Sequence, residues 1–306
     1  MSVYLGIDGG GSKTTCVAAD EVRVLGSAMA GGSNINRVGR PQARASIQQA
    51  IRQACAAADT EPSQVVRTCL GLAGFSNPEV AAAARQFVSE VVPGDVAVVG
   101  DMEIAYEAAF GSGTGLVIIA GTGSIAYGQN DHGVTLRSGG HGPATSDEGS
   151  AHWIGRTAFF ALLDPAQRRR GPLLFAATLI ALGLCSLEDL EQLSRTSTAP
   201  DFAELFPQVC ATAQAGDELA QEILTTAGGE LAKLADDVAY RLWPENQMVR
   251  IALAGGVFKH SPIVRQSFCL RLREQRQNVT VSLRVVDPVM GALTMARKGK
   301  CAGANP

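Results

Sequence analysis

Charge is scarce in this 306-residue sequence. Charged residues make up 18%, with 26 Lys+Arg against 29 Asp+Glu and a formal net charge of −3, below the quarter usual in globular domains. With 46% hydrophobic residues and 34 glycines, so few charges describe a folded chain rich in tight turns and exclude intrinsic disorder. A polyanion-binding surface needs clustered Lys and Arg. The one basic run, Arg168-Arg169-Arg170, is too short for that and reads as a solvated loop, so nucleic acid is not expected as a partner. Long apolar runs are missing as well. The longest uncharged stretch, Pro172 to Ser186, falls short of the roughly 20 residues of a membrane span and reads as a buried helix. No basic segment followed by an apolar one opens the chain, so no targeting segment is expected. The seven cysteines are odd in number and scattered, without a CxxC pair, so neither a disulfide framework nor a zinc site is indicated. Cys69 and Cys185 lie in apolar runs and read as small buried hydrophobes. The expectation is a soluble, cytoplasmic protein with no membrane partner. At roughly 100–200 residues per domain, the length predicts two domains.

Internal repetition is the strongest positive signal. Val3–Asp8 is a short strand, followed by Gly9-Gly10-Gly11-Ser12-Lys13-Thr14 and a second strand, Thr15–Ala19. Leu116–Ala120, Gly121-Thr122-Gly123-Ser124 and Ile125–Gly128 repeat that plan. Val65–Gly74 resembles Val249–Gly256, each an apolar strand ending in glycines. Val96–Asp101 resembles Val281–Asp287, and each aspartate precedes a helical stretch, Met102–Phe110 and Val289–Lys298. Three features in one order, twice, predict a duplicated α/β domain. The boundary is expected near the glycine-rich Gly111–Gly115. The predicted domains are residues 1–112, then 113–287 with a helical insert from about 149 to 243. A C-terminal helix within 288–306 is expected to pack back on the first domain. Apolar residues in the insert recur at helical spacing, as in Phe202/Leu205/Phe206 and Leu219/Ile223/Leu224.

The first glycine loop, Asp8–Thr14, fits neither the P-loop pattern nor the dinucleotide fingerprint, and a strand follows it rather than a helix. It reads as a hairpin whose turn exposes backbone N–H groups to an anion. Asp8 beside it is placed to hold Mg²⁺ through water; the plainer alternative is a turn stabilised by its aspartate. Gly121–Ser124 leads into alternating residues ending at the turn Asn130–Gly133, so the helix of a Rossmann motif is missing. It reads as a second phosphate hairpin, with the Thr122 and Ser124 hydroxyls as added donors. Asp101, at the end of a strand, is a base candidate for transfer of a phosphoryl group to an alcohol, or else a helix cap. Asp147 and Glu148 add carboxylates in a polar loop, and such groups with amides suit a sugar. Asn34, in Gly31–Asn36, fits the same chemistry or a turn. Of His141, His152 and Trp153, His141 has the better functional case.

At these residues the sequence resembles the N-acetylglucosamine/glucosamine kinases of the BadF/BadG/BcrA/BcrD ATPase family, within the actin-like, RNase H-fold ATPase superfamily. The resemblance rests on Asp8–Thr14, the strand ending in Asp101, Ala120–Ser124, Ser146–Ala151 and Leu253–Val257, in the family's order across nearly the whole chain. It implies a duplicated RNase H-like α/β fold of two lobes with a central ATP cleft, and ATP and Mg²⁺ as cofactors. The implied reaction transfers the γ-phosphate to the 6-hydroxyl of an amino sugar. Carried over by position, Asp101 matches the catalytic base and Asp8 the metal site. Gly9, Gly10, Gly11, Ser12, Lys13 and Thr14 match the first phosphate loop, and Gly121, Thr122, Gly123 and Ser124 the second. Gly255, Gly256 and Val257 match adenosine contacts. Asn34, Thr122, Gly140, His141, Asp147 and Ala151 match sugar contacts. The position of His141 carries Trp in animal N-acetylglucosamine kinases, and Ser194–Phe202 looks closer to bacterial glucosamine kinases, so glucosamine is the alternative acceptor. The resemblance also allows a homodimer. A rival reading, an ATP-hydrolysing activator of a dehydratase or reductase, needs cysteines for an iron–sulfur cluster in mid-chain. None lies between Cys69 and Cys185.

Overall fold

The computed structural model describes residues 2–75, 77–142, 145, 147–196, 200–244 and 247–299. The apolar run Val3–Gly9 forms β1, and the glycine turn behind it folds β2 (Lys13–Ala19) back antiparallel, with Gly9 opposite Thr14. β3 (Val24–Gly31) continues the meander. Then come α1 (Ile35–Ala57), β4 (Val65–Leu72), α2 (Pro78–Ser89), β5 (Asp95–Gly100) and α3 (Asp101–Phe110). β4 pairs parallel with β1 and with β5, giving the strand order β3-β2-β1-β4-β5. Residues of β1 and β4 are apolar on both sides because helices cover both faces. Leu5, Ile7 and Leu70 pack with Ile47 and Ile51 of α1, whereas Cys69 and Val99 face Ile104 of α3.

The same plan returns further on. β6 (Gly115–Ala120), β7 (Ser124–Gln129) and β8 (Thr135–Gly139) form a second meander. Six helices follow: α4 (Ala151–Ala161), α5 (Pro165–Arg170), α6 (Pro172–Leu182), α7 (Leu187–Ser194), α8 (Phe206–Gln214) and α9 (Glu218–Leu242). β9 (Val249–Ala254), α10 (Gly256–His260), α11 (Pro262–Gln275) and β10 (Val279–Val286) complete a sheet of order β10-β9-β6-β7-β8. Writing β6 to β10 for β1 to β5 reproduces the first sheet, so the duplicated α/β plan read from the repeats is the observed one. The helices from α4 to α9 are the insert. The last helix, α12 (Pro288–Lys298), packs against β1, β4 and α3. A Cβ at Gly291 would fall 1.9 Å from the Ile104 carbonyl oxygen, so this helix approaches α3 at a distance that only glycine permits. The chain divides into two compact units, Met1–Gly113 with Val286–Pro306, and Thr114–Val285.

Three local expectations are corrected. Arg168-Arg169-Arg170 is the last turn of α5, not a loop. Cations are favoured at a helix C-terminus, and two of them have partners: Arg168 lies over the Phe175 ring at 5.6 Å and Arg170 lies 2.6 Å from Glu222. Pro172–Leu182 is helical, but only Leu174 and Thr178 on it are buried, and Ile180 is 81% exposed. A helix that is apolar all round has no stripe to direct its packing, and α6 rests on α8 along one narrow side. Cys185, in the turn after it, is exposed rather than buried. Among the described residues no single helix is long and apolar enough to cross a membrane; α6 and α7 meet that length and composition only as a pair bent by 67°. Ser146 of the Ser146–Ala151 motif, residues 143–144 beside it, residues 197–199 of the Ser194–Phe202 stretch, and Cys301 lie outside the described residues.

Candidate functional site

Each unit carries its own group of candidate residues. In the first, residues 10–12 make the turn between β1 and β2, closed by the Gly10 N–H donating to the Lys13 carbonyl at 3.0 Å. The junction of β3 and α1 holds this turn from behind: the Ser33 and Asn34 N–H groups both donate to the Gly10 carbonyl, at 3.0 and 3.2 Å. Thr14 is fully buried, with its Oγ1 2.7 Å from the Gly31 carbonyl oxygen and 2.8 Å from Ser33 Oγ. Ser12 and Lys13 are exposed. Arg37 of α1 places its Nη1 3.4 Å from Ser12 Oγ, a cation that the sequence patterns did not single out. Asn34 caps α1, its Oδ1 accepting the Asn36 N–H at 3.1 Å.

Carboxylates gather at the carboxyl ends of these strands. Burial, and then the charge of Asp101, push the Asp8 carboxyl up to about 7, with Lys13 opposing and Asp287 adding to the rise. Asp101 is half-buried in the first turn of α3, where Gly100 is the capping residue, so the cap alternative for Asp101 falls away. Its Oδ1 accepts the Met102 N–H at 2.9 Å. Glu103 reaches back to the Gly100 N–H; its carboxyl is raised by burial and by Asp101, against that hydrogen bond. Hard carboxylate oxygens of this kind suit Mg²⁺, and their crowded negative charge favours a cation. Among the described residues no three His, Cys, Asp or Glu side chains stand close enough to hold a metal directly. The half-buried Asp8 carboxyl, beside Asp101, is of a chemistry that fits Mg²⁺ held through water.

In the second unit, residues 121–123 turn from β6 into β7, with the Gly121 N–H on the Gly123 carbonyl at 2.9 Å. The start of α4 braces this turn. The Ala151 N–H donates to the Gly121 carbonyl at 2.9 Å and the His152 N–H to the Thr122 carbonyl at 3.3 Å. Buried Ser150 caps α4 by accepting the Trp153 N–H at 3.1 Å. The Ser124 N–H donates to Asp147 Oδ1 at 3.1 Å, and Ser124 Oγ donates to the Glu148 carbonyl at 2.9 Å. Asp147 is buried at φ 82°, a conformation that few non-glycine residues adopt. Burial raises its carboxyl; the Ser124 N–H and the two histidines, His152 and His141, act the other way, and Glu148 raises it further. The Gly140 N–H donates to the Ser124 carbonyl at 2.9 Å, which brings Gly140 and exposed His141 to the same loop. His152 packs edge-on against Phe202, ring centroids 5.5 Å apart. β9 runs parallel beside β6 and is followed by Gly255, whose φ is 96° and whose added Cβ would fall 2.2 Å from the Ala120 carbonyl oxygen. Gly256 is exposed and Val257 is buried.

The first unit thus brings together Asp8, the turn Gly9–Thr14, Asn34 and Asp101. The second brings together Gly121–Ser124, Gly140, His141, Asp147, Ala151 and Gly255–Val257. Ser33, Arg37 and Ser150 were not legible as site-supporting residues. Ser150 alone carried a local signal, as a serine before a helical run.

The sequence pattern of the BadF/BadG/BcrA/BcrD ATPase family matches residues 5–296. An N-acetylmuramic acid/N-acetylglucosamine kinase from Clostridium acetobutylicum is 30% identical over 302 residues, 97% of this chain and 99% of that one. An N-acetyl-D-glucosamine kinase from Dictyostelium discoideum is 30% identical over 319 residues, 97% and 98% of the two chains. The fold is also that of a ROK family glucokinase from Streptomyces griseus, solved with glucose and AMPPNP, at a TM-score of 0.68, 17% identity and 97% and 100% coverage.

Proposed function

The chain belongs to the BadF/BadG/BcrA/BcrD ATPase family, and from that premise we propose that it is an ATP-dependent kinase transferring the γ-phosphate to the 6-hydroxyl of an amino sugar. N-acetylglucosamine is the preferred acceptor, as in the names of the two kinases 30% identical to it, and glucosamine is the alternative. The single observation that carries the reading is Asp101: a half-buried carboxylate at the end of β5, next to Asp8 and in the same unit as a glycine turn rich in N–H donors. In this role Asp101 orients the sugar hydroxyl and accepts its proton as the new O–P bond forms. The bond from the γ-phosphorus to the bridging oxygen breaks, and ADP leaves.

The backbone of the turn Gly9–Lys13, with the Lys13 ammonium, receives phosphate oxygens, and Gly121–Gly123 does the same in the second unit. Asp8 would hold Mg²⁺ through water, and the ion would offset negative charge on the phosphates. Gly255–Val257 receive adenosine, the exposed Gly256 leaving the end of β9 open to a flat ring. Asn34, Thr122, Gly140, His141, Asp147 and Ala151 receive the sugar hydroxyls and the 2-substituent. Asp101→Asn tests the assignment. The variant should keep its fold and its affinity for the sugar, and turnover should drop by about 10²–10⁴, the contribution of a positioned base. Near-normal turnover would remove Asp101 from the mechanism.

A further inference from the structure

Two hydroxyls that sequence pattern places in phosphate loops are spent elsewhere in the fold. A hydroxyl has one proton. At Thr14 that proton belongs to the Gly31 carbonyl, which can only accept, and the oxygen is paired with Ser33 Oγ at 2.8 Å. Thr14 and Ser33 have no exposed surface. At Ser124 the proton belongs to the Glu148 carbonyl, and the residue is 2% exposed. These side chains are built into the protein behind the turns.

What they fasten is specific. Gly31 and Ser33 lead into Asn34, whose own N–H lies on the Gly10 carbonyl together with that of Ser33. The glycine turn and the start of α1 are therefore one hydrogen-bonded body. Glu148 and Asp147 lead into Ser150 and Ala151, whose N–H holds the Gly121 carbonyl. In both units the backbone of a sugar-contact candidate is tied to the turn proposed to bind phosphate.

We infer that Ser33 is a positioning residue for the first phosphate turn, acting through the Thr14 hydroxyl, and that Ser124 has the same task in the second. This rests on reading the two turns as phosphate sites. Removing Ser33 Oγ takes away the side-chain tie between Thr14 and the start of α1 and leaves only the two backbone bonds on the Gly10 carbonyl, so the turn is held less firmly. Asn34 keeps its cap on Asn36 and its N–H on Gly10, so a sugar should be held as before.

The test is a double-mutant cycle on MgADP binding, measured by titration calorimetry with the variants Thr14→Val, Ser33→Ala and both together. Each single variant should weaken MgADP about 5- to 30-fold, the span of a lost buried hydrogen bond with its partner left over. The pair should be weaker than the worse single variant by no more than about twofold, because Ser33 acts only through the Thr14 hydroxyl, which Thr14→Val already removes. KM for ATP should rise in Ser33→Ala, while the Kd of the sugar in the absence of nucleotide stays the same; a general loss of folding would move both. Thr14→Val keeps the side-chain shape, so it serves if Ser33→Ala does not fold. Additive losses would show that Ser33 acts independently of the Thr14 hydroxyl and overturn the inference. It is equally overturned if folded single variants bind MgADP as tightly as the parent, or if the parent does not bind MgADP. A parent that binds MgADP with the predicted cycle but phosphorylates no sugar would remove the acceptor assignment and leave the positioning roles standing.

Discussion

Replacing Asp8 by Asn should stabilise the metal-free protein, and by an amount that grows with pH. The Asp8 carboxyl titrates at about 7 in the fold against 3.8 as its ordinary value. Between those values the folded chain holds a proton that the unfolded chain has released. Stability therefore falls as pH rises from about 4 to about 7 and is level beyond. The full displacement corresponds to about 4 kcal/mol at 1.36 kcal/mol per pH unit. Asp8 keeps partial contact with solvent, and screening lowers the expected difference to about 2 kcal/mol. Asparagine fills the same space without a charge to bury. Guanidinium unfolding of chelator-treated protein at pH 5 and pH 8 would show the variant more stable by about 2 kcal/mol at pH 8 and by less than half of that at pH 5, where the parent still holds most of its proton. Millimolar Mg²⁺ at pH 8 should then stabilise the parent and not the variant. An advantage equal at the two pH values, or a variant less stable at pH 8, would refute the argument that burial, and then the Asp101 charge, set the Asp8 environment.

Gly291→Ala should cost about 2–3 kcal/mol, because its Cβ meets the Ile104 carbonyl oxygen at 1.9 Å and two helices must part; a melting temperature within 1 °C of the parent, roughly the error of such a melt, would refute that packing. Brief iodoacetamide treatment of the native protein, read by peptide mass spectrometry, should label exposed Cys185 first among the described cysteines. Cys16, Cys55 and Cys210 should stay unlabelled, since burial raises each thiol, to about 11 for Cys55 and Cys210. Ser150→Ala should cost about 1 kcal/mol in an unfolding titration, through loss of the α4 cap. It should also raise KM for ATP several-fold, because the first turn of α4 holds the Gly121 and Thr122 carbonyls.

The fold was legible where chain-local rules apply. Apolar strands on either side of glycine turns announced β1–β2 and β6–β7, and their recurrence announced the second sheet. Less was legible where a residue's surroundings come from distant segments. Ser124 reads in sequence as a hydroxyl donor and Thr14 matches a phosphate loop, yet carbonyls from Glu148 and Gly31 claim their protons. Asn34 was read as either a sugar contact or a turn residue, and its side chain does cap α1. α6 shows the reverse limit: apolar composition gives the helix but not its cover, since burial depends on what the neighbouring helices leave open. Asp287 stood out only as the second copy of Asp101, and its charge acts on Asp8 because α12 packs along β1.

The most direct measurement is ADP release from purified protein with MgATP, offering N-acetylglucosamine, glucosamine, glucose and N-acetylmannosamine in turn beside a blank without sugar. The account predicts strong release with an amino sugar, N-acetylglucosamine first, a quiet blank, and loss of the signal in Asp101→Asn. ATP hydrolysis that no sugar stimulates would contradict it and point to an activator-type ATPase or another alcohol acceptor.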